Sequence, residues 1–412
     1  MEIEPTNADI IVAGALAVDY SCDYSPLEGS PSQISPTLHT SNPAIISQNL
    51  GGVAHNIARA AHLVGNNVKL CSVVADDLAG RIALQQLTAE QMCASGIRTI
   101  NGERTAQYVA VNDVKKDLVV AMADMGILER QSSIFTSDLK RHLEAEKSKW
   151  LVADGNLPSD ALLESFRLAK QLGIRTVFEP VSTAKSVRIF SAQGISILSE
   201  GDAHGPLPVY PSHAVDMATP NHLELAAMHA AAREAGHFDS SEWWKVIDAL
   251  GIPPSGARSR FLSITSSELV DQGIPQQSVQ LLPFIPCLLT KLGAKGVLLA
   301  MLLGKDDERL RDGNVAPYIL SRSRGEDPRS PIGGVYMKLF PPAEMVADSE
   351  VVSVNGVGDT LLGVMVGAEV ETGKNVEELV DFAQRAATLT LRSREAVSPA
   401  LSELKEELRR QR

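Results

Sequence analysis

The chain has 412 residues, of which 44% are hydrophobic and 21% charged, a composition typical of one large α/β domain or two smaller ones. Its net charge of −12 argues against a surface that binds nucleic acid or an anionic membrane, and no uncharged apolar run reaches the length of a membrane span. The four cysteines lack CxxC spacing, so we expect neither a disulfide framework nor a zinc site. The reducing cytoplasm fits this cysteine usage best, and the acidic N-terminus lacks the pattern of a signal peptide.

Up to residue 130, buried-strand patterns alternate with helical patterns and one polar flap. Residues 104–124 hold two runs of alternating apolar residues around a polar turn at 112–117, which predicts a β-hairpin. Residues 20–48 are rich in Ser, Pro, Asn and Thr and predict a loop with one or two edge strands. The other elements predicted here are strands at 9–17 and 68–74 and helices at 51–63 and 80–95.

From residue 150 onward, predicted strands and helices alternate, which favours a doubly wound, mostly parallel sheet covered by helices. Strands are predicted at 150–154, 175–179, 217–221, 287–291 and 296–301, and helices at 159–172, 222–235 and 376–392. Two stretches interrupt the alternation: residues 238–283 are polar with scattered apolar positions, and residues 305–331 predict a charged surface loop. The charged helical tail at 404–412 is expected to be solvated and without function.

The most informative stretch for function runs from residue 350 to residue 370. Val351, Val352 and Val354 predict a short buried strand, and residues 355–358 (NGVG) predict a tight turn. Asp359 then begins a helix, whose first backbone N–H groups are free to bind an anion. A carboxylate at the N-terminus of such a helix can be a general base that deprotonates an attacking hydroxyl. It can equally be an ordinary helix N-cap.

Polar and glycine residues also follow several other predicted strands. In open α/β sheets, ligands bind where the carboxyl ends of parallel strands meet the following turns. Each such residue alone is more often a cap or a turn, but their number indicates one shared site. The residues are Asp19, Gly51, Gly52, Asn56, Asp154, Asn156, Glu179, Asn221, Glu224, Gly293 and Gly296, together with 356–359.

Two long motifs are similar to the N-terminal and C-terminal signatures of the PfkB (ribokinase-like) family of carbohydrate and nucleoside kinases. They are GGVAHNIARAAHLVGNNVKLCSVVADDLAG, which begins at Gly51, and VVSVNGVGDTLLGVMVGAEV, which begins at Val351. The resemblance implies one α/β kinase domain across residues 1–412, built on a three-layer, doubly wound, mostly parallel sheet. It also implies a small β lid made by segments 20–48 and 104–124, with residues 238–283 and 305–331 as insertions.

The resemblance assigns phosphoryl-transfer roles to the residues around Asp359, which becomes the catalytic base. The amides that form the anion hole are those of Gly356, Val357 and Gly358. Asn221 and Glu224 match the family's NxxE motif, which organises Mg²⁺ and its waters around ATP. The implied cofactors are therefore ATP and Mg²⁺, and the family also allows a monovalent cation.

Substrate and nucleotide contacts follow from the same resemblance. Asp19, Gly52 and Asn56 are expected to hold the ribose hydroxyls, since a carboxylate and an amide together satisfy a vicinal diol. The expected nucleotide contacts are Lys291, Gly293, Gly296 and, near the adenine, Ala383 and Ala387. A solvated side chain is an equal alternative for Lys291.

Shorter motifs resemble those of the pseudouridine kinases within this family. They include Thr105 and Tyr108 on the flap, Asp154 and Asn156 after a strand, and FEPVSTAK around Glu179. The function implied is ATP-dependent phosphorylation of the 5′-hydroxyl of pseudouridine, whose uracil ring presents two N–H groups and two carbonyls. Thr105, Tyr108 and Asp154 are therefore expected to bind the substrate, with an ordinary strand aromatic as the alternative for Tyr108.

Three positions depart from these motifs. Val357 and Val364 replace small residues, and His55 replaces an arginine. The alternatives left open are another ribokinase-like kinase, acting on ribose, adenosine or inosine, and a nucleoside-binding pseudokinase. An NAD-binding oxidoreductase is disfavoured because no GxGxxG follows the first strand. The implied partners are a small-molecule nucleoside, a second copy in a homodimer formed through the flaps, and a pseudouridine glycosidase that is functionally linked or fused.

Overall fold

The computed structural model describes residues 7–26, 34–191, 207–253, 257–325 and 327–411. The strands in this part of the chain are β1 (Ile10–Ala13), β2 (Ala17–Tyr24), β3 (Ala44–Gly51), β4 (Val68–Ala75), β5 (Ile97–Ile100), β6 (Gln107–Asn112), β7 (Leu118–Asp124), β8 (Trp150–Asp154), β9 (Arg175–Glu179), β10 (Met217–Ala218), β11 (Cys287–Lys291), β12 (Val297–Gly304), β13 (Ile319–Arg322) and β14 (Ile332–Phe340).

Helices connect and cover these strands. They are α1 (Val53–Leu63), α2 (Leu78–Ala89), α3 (Gly126–Arg130), α4 (Ser132–Ala145), α5 (Ser159–Gln171), α6 (Thr183–Ser186), α7 (His222–Glu234), α8 (Ser241–Ala249), α9 (Arg258–Ile264), α10 (Ser267–Asp271), α11 (Ile274–Leu281), α12 (Val357–Thr372), α13 (Val376–Leu391) and α14 (Leu404–Arg410).

The main sheet of the described chain has ten strands in the order β13-β14-β12-β11-β10-β9-β8-β1-β4-β5. Neighbouring strands are parallel from β5 to β11, and the pairs that follow, through β12 and β14 to β13, are antiparallel. The carboxyl ends of the parallel strands therefore meet along one edge of the sheet, as the strand–helix alternation predicts.

Both faces of the main sheet are buried. Ile11 and Ala13 belong to one apolar cluster with residues of α3 to α5 and α7 to α11, whereas Ile10 and Val12 belong to the other with residues of α1, α2 and α12 to α14. Successive side chains of a strand point to opposite faces, so a strand covered on both sides is apolar throughout. The result is a three-layer α/β architecture with one helical layer on each side of the sheet.

A second sheet of four strands, in the order β3-β2-β6-β7, forms a small separate lid. The predicted hairpin at 104–124 is confirmed as β6 and β7, and both ends of the predicted segment 20–48 are strands. Residues 27–33 of that segment lie outside the described residues.

The strand register gives the lid two chemically different faces. Asp19 is paired with Asn49 on one side and with Tyr108 on the other, so these three residues share one row of what we call the polar face. Its opposite, the apolar face, carries a row formed by Ile46, Cys22, Val111 and Val120 and also bears Met122. Ile46, Val120 and Met122 are 66%, 45% and 71% exposed.

The predicted buried strand at Val351, Val352 and Val354 is wrong. These side chains are 38%, 49% and 72% exposed and lie outside any strand. Strand preference depends on having a neighbour to pair and pack with, and here the backbone N–H of Val352 donates instead to the carbonyl of Leu391 at the end of α13.

The predicted insertions are more ordered than polar loops. Residues 238–283 form α8 to α11, and Phe238, Trp243 and Phe261 pack into the core on one face of the sheet. Residues 305–331 include β13, an edge strand, so a surface loop describes only part of them. Residues 254–256 and 326 of these segments lie outside the described residues. The tail is helical as predicted, but Leu408 is buried, so α14 also packs on the core.

None of the helices in the described ranges is both long enough and apolar enough to cross a membrane.

Candidate active site

The turn before α12 is built around Gly356. This residue has a left-handed φ of 71°, and a Cβ placed on it would lie 1.8 Å from the carbonyl oxygen of Ala396. Only glycine accepts both the conformation and the close approach. Gly356 is the N-cap of α12, so the amides of Val357, Gly358 and Asp359 have no acceptor within the helix and are available to an anion.

Asp359 lies in the first turn of α12, at the centre of a charged cluster. Its Oδ2 accepts a hydrogen bond of 2.8 Å from Nδ2 of Asn56, which reaches it from α1. Burial, followed by the charge of Glu179, raises the pKa of the Asp359 carboxyl to about 7, against the opposing effects of Asn56 and Lys291. A carboxyl with this pKa exchanges a proton near neutral pH, which is what a general base requires.

Asn221 and Glu224 begin α7 with a capping box. Asn221 Oδ1 accepts from the amides of Leu223 and Glu224, and Glu224 Oε2 accepts from the amide of Asn221. Burial raises the pKa of Glu224, which is only 4% exposed. No group of three or more His, Cys, Asp or Glu side chains in the described chain could hold a metal by itself. One carboxylate and one amide still fit Mg²⁺, which takes few protein ligands and keeps several waters.

Lys291 and Glu179 form a buried ion pair at neighbouring strand ends. Lys291 Nζ is 2.9 Å from both carboxylate oxygens of Glu179, whose Oε2 also accepts from Thr219 Oγ1 at 2.5 Å. The Lys291 side chain is only 17% exposed, so the alternative of a solvated lysine is wrong. A Cβ on Gly358 would lie 3.1 Å from Lys291 Nζ, which places the ammonium directly beside the anion-binding turn.

On the lid side, Asp19 lies above the glycine pair that begins α1. A Cβ on Gly51 would be 2.0 Å from Asp19 Oδ2, and a Cβ on Gly52 would be 2.4 Å from the carbonyl of Ala15. The absence of side chains here is what allows Asp19 to approach α1. Burial raises the pKa of Asp19 to about 6, and Tyr108 is its neighbour in the same row of the lid.

Two residues that were predicted to contact the substrate have structural roles instead. Thr105 is fully buried, and its hydroxyl donates its one proton to Asp77 and accepts from the amide of Ala75, so it has no donor left and is not accessible to a substrate. Asp154 is also fully buried, and its carboxylate accepts from the amides of Ala15, Ala54 and Asn156. We therefore expect Asp154 to hold the loops around the site together and not to touch a substrate.

The predicted nucleotide contacts differ in their surroundings. Gly293 has a φ of 60°, and no atom lies within 4 Å of a Cβ built on it, so this backbone is open to a ligand. Gly296 has a different reason to be glycine, because its Cβ would lie 2.1 Å from the carbonyl of Phe340 in β14. Ala383 and Ala387 are buried in the core face of α13.

The departures from the motifs also have structural explanations. Val357 and Val364 are both in α12, and their side chains pack with the apolar cluster on that face of the sheet. The larger side chains are therefore explained by packing. His55 is 1% exposed, and its Nε2 lies 3.7 Å from Glu90, between α1 and α2. It therefore contributes to helix packing and not to the edge of the sheet that carries Asp359.

Sequence reasoning missed the role of two residues. Glu179 was noted as a polar strand end and as part of the FEPVSTAK motif, but without a role in the site, and Thr219 was not singled out. The strand-end rule was a sufficient signal for Glu179, whereas nothing in the sequence near Thr219 indicates that its hydroxyl contacts a residue 40 positions away.

Comparison with known proteins identifies the family. Residues 14–195 match the profile of the pfkB family carbohydrate kinases. This segment belongs to a pfkB family carbohydrate kinase domain. The predicted family is thereby confirmed.

The kinase domain is similar to proteins of known name. It is 29% identical over 400 residues to a pseudouridine-metabolizing bifunctional protein of Schizosaccharomyces pombe, a match that covers 96% of this chain and 48% of that protein. It is 31% identical over 150 residues to the pseudouridine kinase of Escherichia coli, over 36% of this chain and 46% of that enzyme. The matches thus span about half the length of these relatives.

A solved structure shows the same fold. The ribokinase of Arabidopsis thaliana, determined in complex with ribose and ATP, has a TM-score of 0.59 to the kinase domain at 15% identity, covering 98% of this chain and 99% of that one. The predicted ribokinase-like fold, with a mostly parallel sheet and a small lid sheet, is confirmed.

Proposed function

We propose that the kinase domain transfers the γ-phosphoryl group of ATP to the 5′-hydroxyl of pseudouridine. The observation that carries this proposal is the position of Asp359, a carboxyl with a pKa raised to about 7, at the mouth of an amide-lined turn. The similarity to two proteins named for pseudouridine metabolism supports the choice of substrate.

In the proposed reaction, Asp359 takes the proton of the 5′-hydroxyl while that oxygen forms a bond to the γ-phosphorus. The bond between the γ-phosphorus and the bridging oxygen breaks, and ADP leaves with the electron pair. Asn56 orients the Asp359 carboxylate through its hydrogen bond, and the amides at the start of α12 bind the oxygens of the transferred group. Positioning and charge stabilisation supply most of the rate enhancement in such a site.

Asn221 and Glu224 are the residues that would hold Mg²⁺ through its waters. When bound, the ion would neutralise charge on the phosphate oxygens. The contribution of the chain itself is to keep the Glu224 carboxylate at the strand end, where the capping box of α7 holds it.

The lid supplies the proposed nucleoside contacts. Asp19 lies against Gly51, just before α1, and Asn56 is in the first turn of α1, so together they suit a pair of ribose hydroxyls. Tyr108 is next to Asp19 on the polar face, where its hydroxyl is suited to the edge of the base. Pseudouridine has a ring N1–H that uridine lacks, so a hydrogen-bond acceptor at this position would distinguish the two nucleosides.

The direct experiment measures ADP release with Mg·ATP and pseudouridine, uridine, ribose, adenosine or inosine as the acceptor. We expect kcat/KM to be highest for pseudouridine. A higher value for ribose, adenosine or inosine would overturn the assignment of the substrate while leaving a kinase. Binding of pseudouridine without any turnover would favour the pseudokinase.

We also propose that residues 1–412 form one kinase domain that pairs with a second copy through the apolar face of the lid. The exposed Ile46, Val120 and Met122 on that face support pairing, because exposed apolar patches of this kind mark interaction surfaces. The extent of the match to the bifunctional relative supports a functional or fused link to a glycosidase that acts on the same nucleoside.

A further inference from the structure

The Glu179–Lys291 pair bridges three neighbouring strands at the carboxyl edge of the sheet. Glu179 ends β9 and Lys291 ends β11, and Thr219 follows β10, which lies between them. Glu179 is 3% exposed, and both of its oxygens contact the ammonium of Lys291. The pair is therefore fixed by the sheet itself and not by a flexible loop.

The stability of the fold alone does not explain why this ion pair is buried here. Removing two charges from water is costly, and apolar residues of similar volume often stabilise a fold as well as a buried ion pair does. The placement is more informative: the pair is not in the middle of a core but beside Gly358 and Asp359. A buried cation at the mouth of an anion-binding turn is suited to a phosphate ligand.

The ammonium of Lys291 keeps an N–H donor that is free to bind a ligand. An ammonium has three N–H donors, and Glu179 is the only hydrogen-bond acceptor of Lys291 Nζ within the described ranges. A lysine on its four-carbon stem would otherwise occupy many positions. The carboxylate of Glu179, which accepts a hydrogen bond from Thr219, holds the Lys291 ammonium in the position next to the turn.

We propose that Lys291 binds the phosphoryl group during its transfer and that Glu179 is the positioning residue that holds the Lys291 ammonium beside the anion-binding turn. This inference rests on the proposed phosphotransferase function of the same site. A carboxylate so close to the phosphate would normally repel it. Here the ammonium of Lys291 contacts both carboxylate oxygens of Glu179 and so offsets that repulsion.

The electrostatics of Asp359 provide an independent signature. Glu179 and Asp154 raise the pKa of Asp359, whereas Asn56 and Lys291 lower it. Glu179→Gln is therefore expected to move the acid limb of the kcat/KM profile to lower pH, and Lys291→Met to move it to higher pH. An ion pair remote from Asp359 would not produce these shifts, so they test whether both charges act at the reacting carboxyl.

The test compares Lys291→Met, Glu179→Gln and Lys291→Arg with the wild-type chain. The control is Lys170→Met, which removes another lysine paired with a carboxylate, that of Asp216, at the opposite end of β10. Affinities for Mg·ADP and for a non-hydrolysable Mg·ATP analogue are measured by calorimetry, and kcat, KM and the pH profile by ADP release with pseudouridine.

We expect Lys291→Met to weaken binding of the ATP analogue by about 10- to 100-fold, the effect of losing a hydrogen bond to a charged group, with little change for ADP. Its kcat should fall by about 10²–10³-fold. Glu179→Gln should cause a smaller loss, whereas Lys291→Arg should keep the preference for the ATP analogue. Lys170→Met should leave these ratios unchanged.

The inference is overturned if Lys291→Met discriminates ADP from the ATP analogue as the wild type does, or if Glu179→Gln and Lys291→Met shift the pH profile in the same direction. Circular dichroism identifies a variant that does not fold, and the remaining two variants then decide. The two nucleotide affinities do not involve the nucleoside, so they test Lys291 even if wild-type turnover shows that pseudouridine is the wrong acceptor.

Discussion

Asp359 shows how burial changes the chemistry of a single residue. An exposed aspartate is ionised at all physiological pH values, and its carboxylate is a weak base. Burial and the nearby Glu179 raise the pKa of Asp359 to about 7, while Asn56 keeps one of its oxygens hydrogen bonded. The residue thus combines a fixed orientation with a basicity matched to neutral pH.

The first prediction concerns pH. Because the base must be deprotonated, kcat/KM of the wild type is expected to rise with pH and to reach half of its maximum near pH 7. Asp359→Asn should lower kcat by about 10²–10⁴-fold, the usual contribution of a general base, and abolish this limb. Rates of ADP release between pH 5 and 9 check both, and unchanged pseudouridine affinity in Asp359→Asn serves as the folding control. A wild-type profile that is flat across pH 7 would contradict the role of Asp359.

At the level of elements, helix α12 depends on how its first residue is placed. Gly356 is left-handed and touches Ala396, so the turn is pressed against the loop that follows α13. Gly373, the C-cap of the same helix, has nearly the same φ of 69° but no atom within 4 Å of a built Cβ. The two glycines thus share a backbone conformation and differ in packing.

The second prediction uses this difference. Gly373→Ala should cost about 1–2 kcal/mol of unfolding free energy, the strain of a left-handed non-glycine residue. Gly356→Ala has the same strain plus a clash with Ala396, so it should cost more and also lower kcat by displacing the amides of the turn. Chemical denaturation and ADP release measure the two effects. Equal losses of stability and activity in both variants would show that the contact with Ala396 is unimportant.

At the scale of the molecule, the site is assembled from distant parts of the chain. Asn56 and Asp359 are separated by 303 positions in sequence, yet they are hydrogen bonded because α1 and α12 lie on the same face of the sheet. The lid adds Asp19 and Tyr108 from a second sheet, whose apolar face remains exposed. Pairing with a second copy would cover that face.

The third prediction concerns this assembly. The wild type should be a dimer by light scattering, and Met122→Glu or Ile46→Glu on the apolar face of the lid should convert it to a monomer. Leu78→Glu is the matched control, because Leu78 is 68% exposed at the start of α2, outside the lid. A monomeric wild type, or dissociation by Leu78→Glu alone, would contradict pairing through the lid.

Local patterns were good guides to the central strands. The strands predicted at 150–154, 175–179 and 287–291 are β8, β9 and β11 with the same limits, because neighbouring apolar residues in a short segment indicate burial on both faces of the sheet. The segment 351–354 (VVSV) is also mostly apolar but has no strand to pair with, and local sequence contains no information about that neighbour.

The sequence by itself determined the alternation of strands and helices, the glycine turn before Asp359 and the motifs that resemble those of the kinase family. These depend on residues close together in the chain. Only the tertiary structure decided that Thr105 and Asp154 are used for internal hydrogen bonds and that Lys291 is paired with Glu179. The physical reason is that free hydrogen-bonding capacity and burial are properties of a residue's surroundings, and here those surroundings include residues as far as 139 positions away in the sequence.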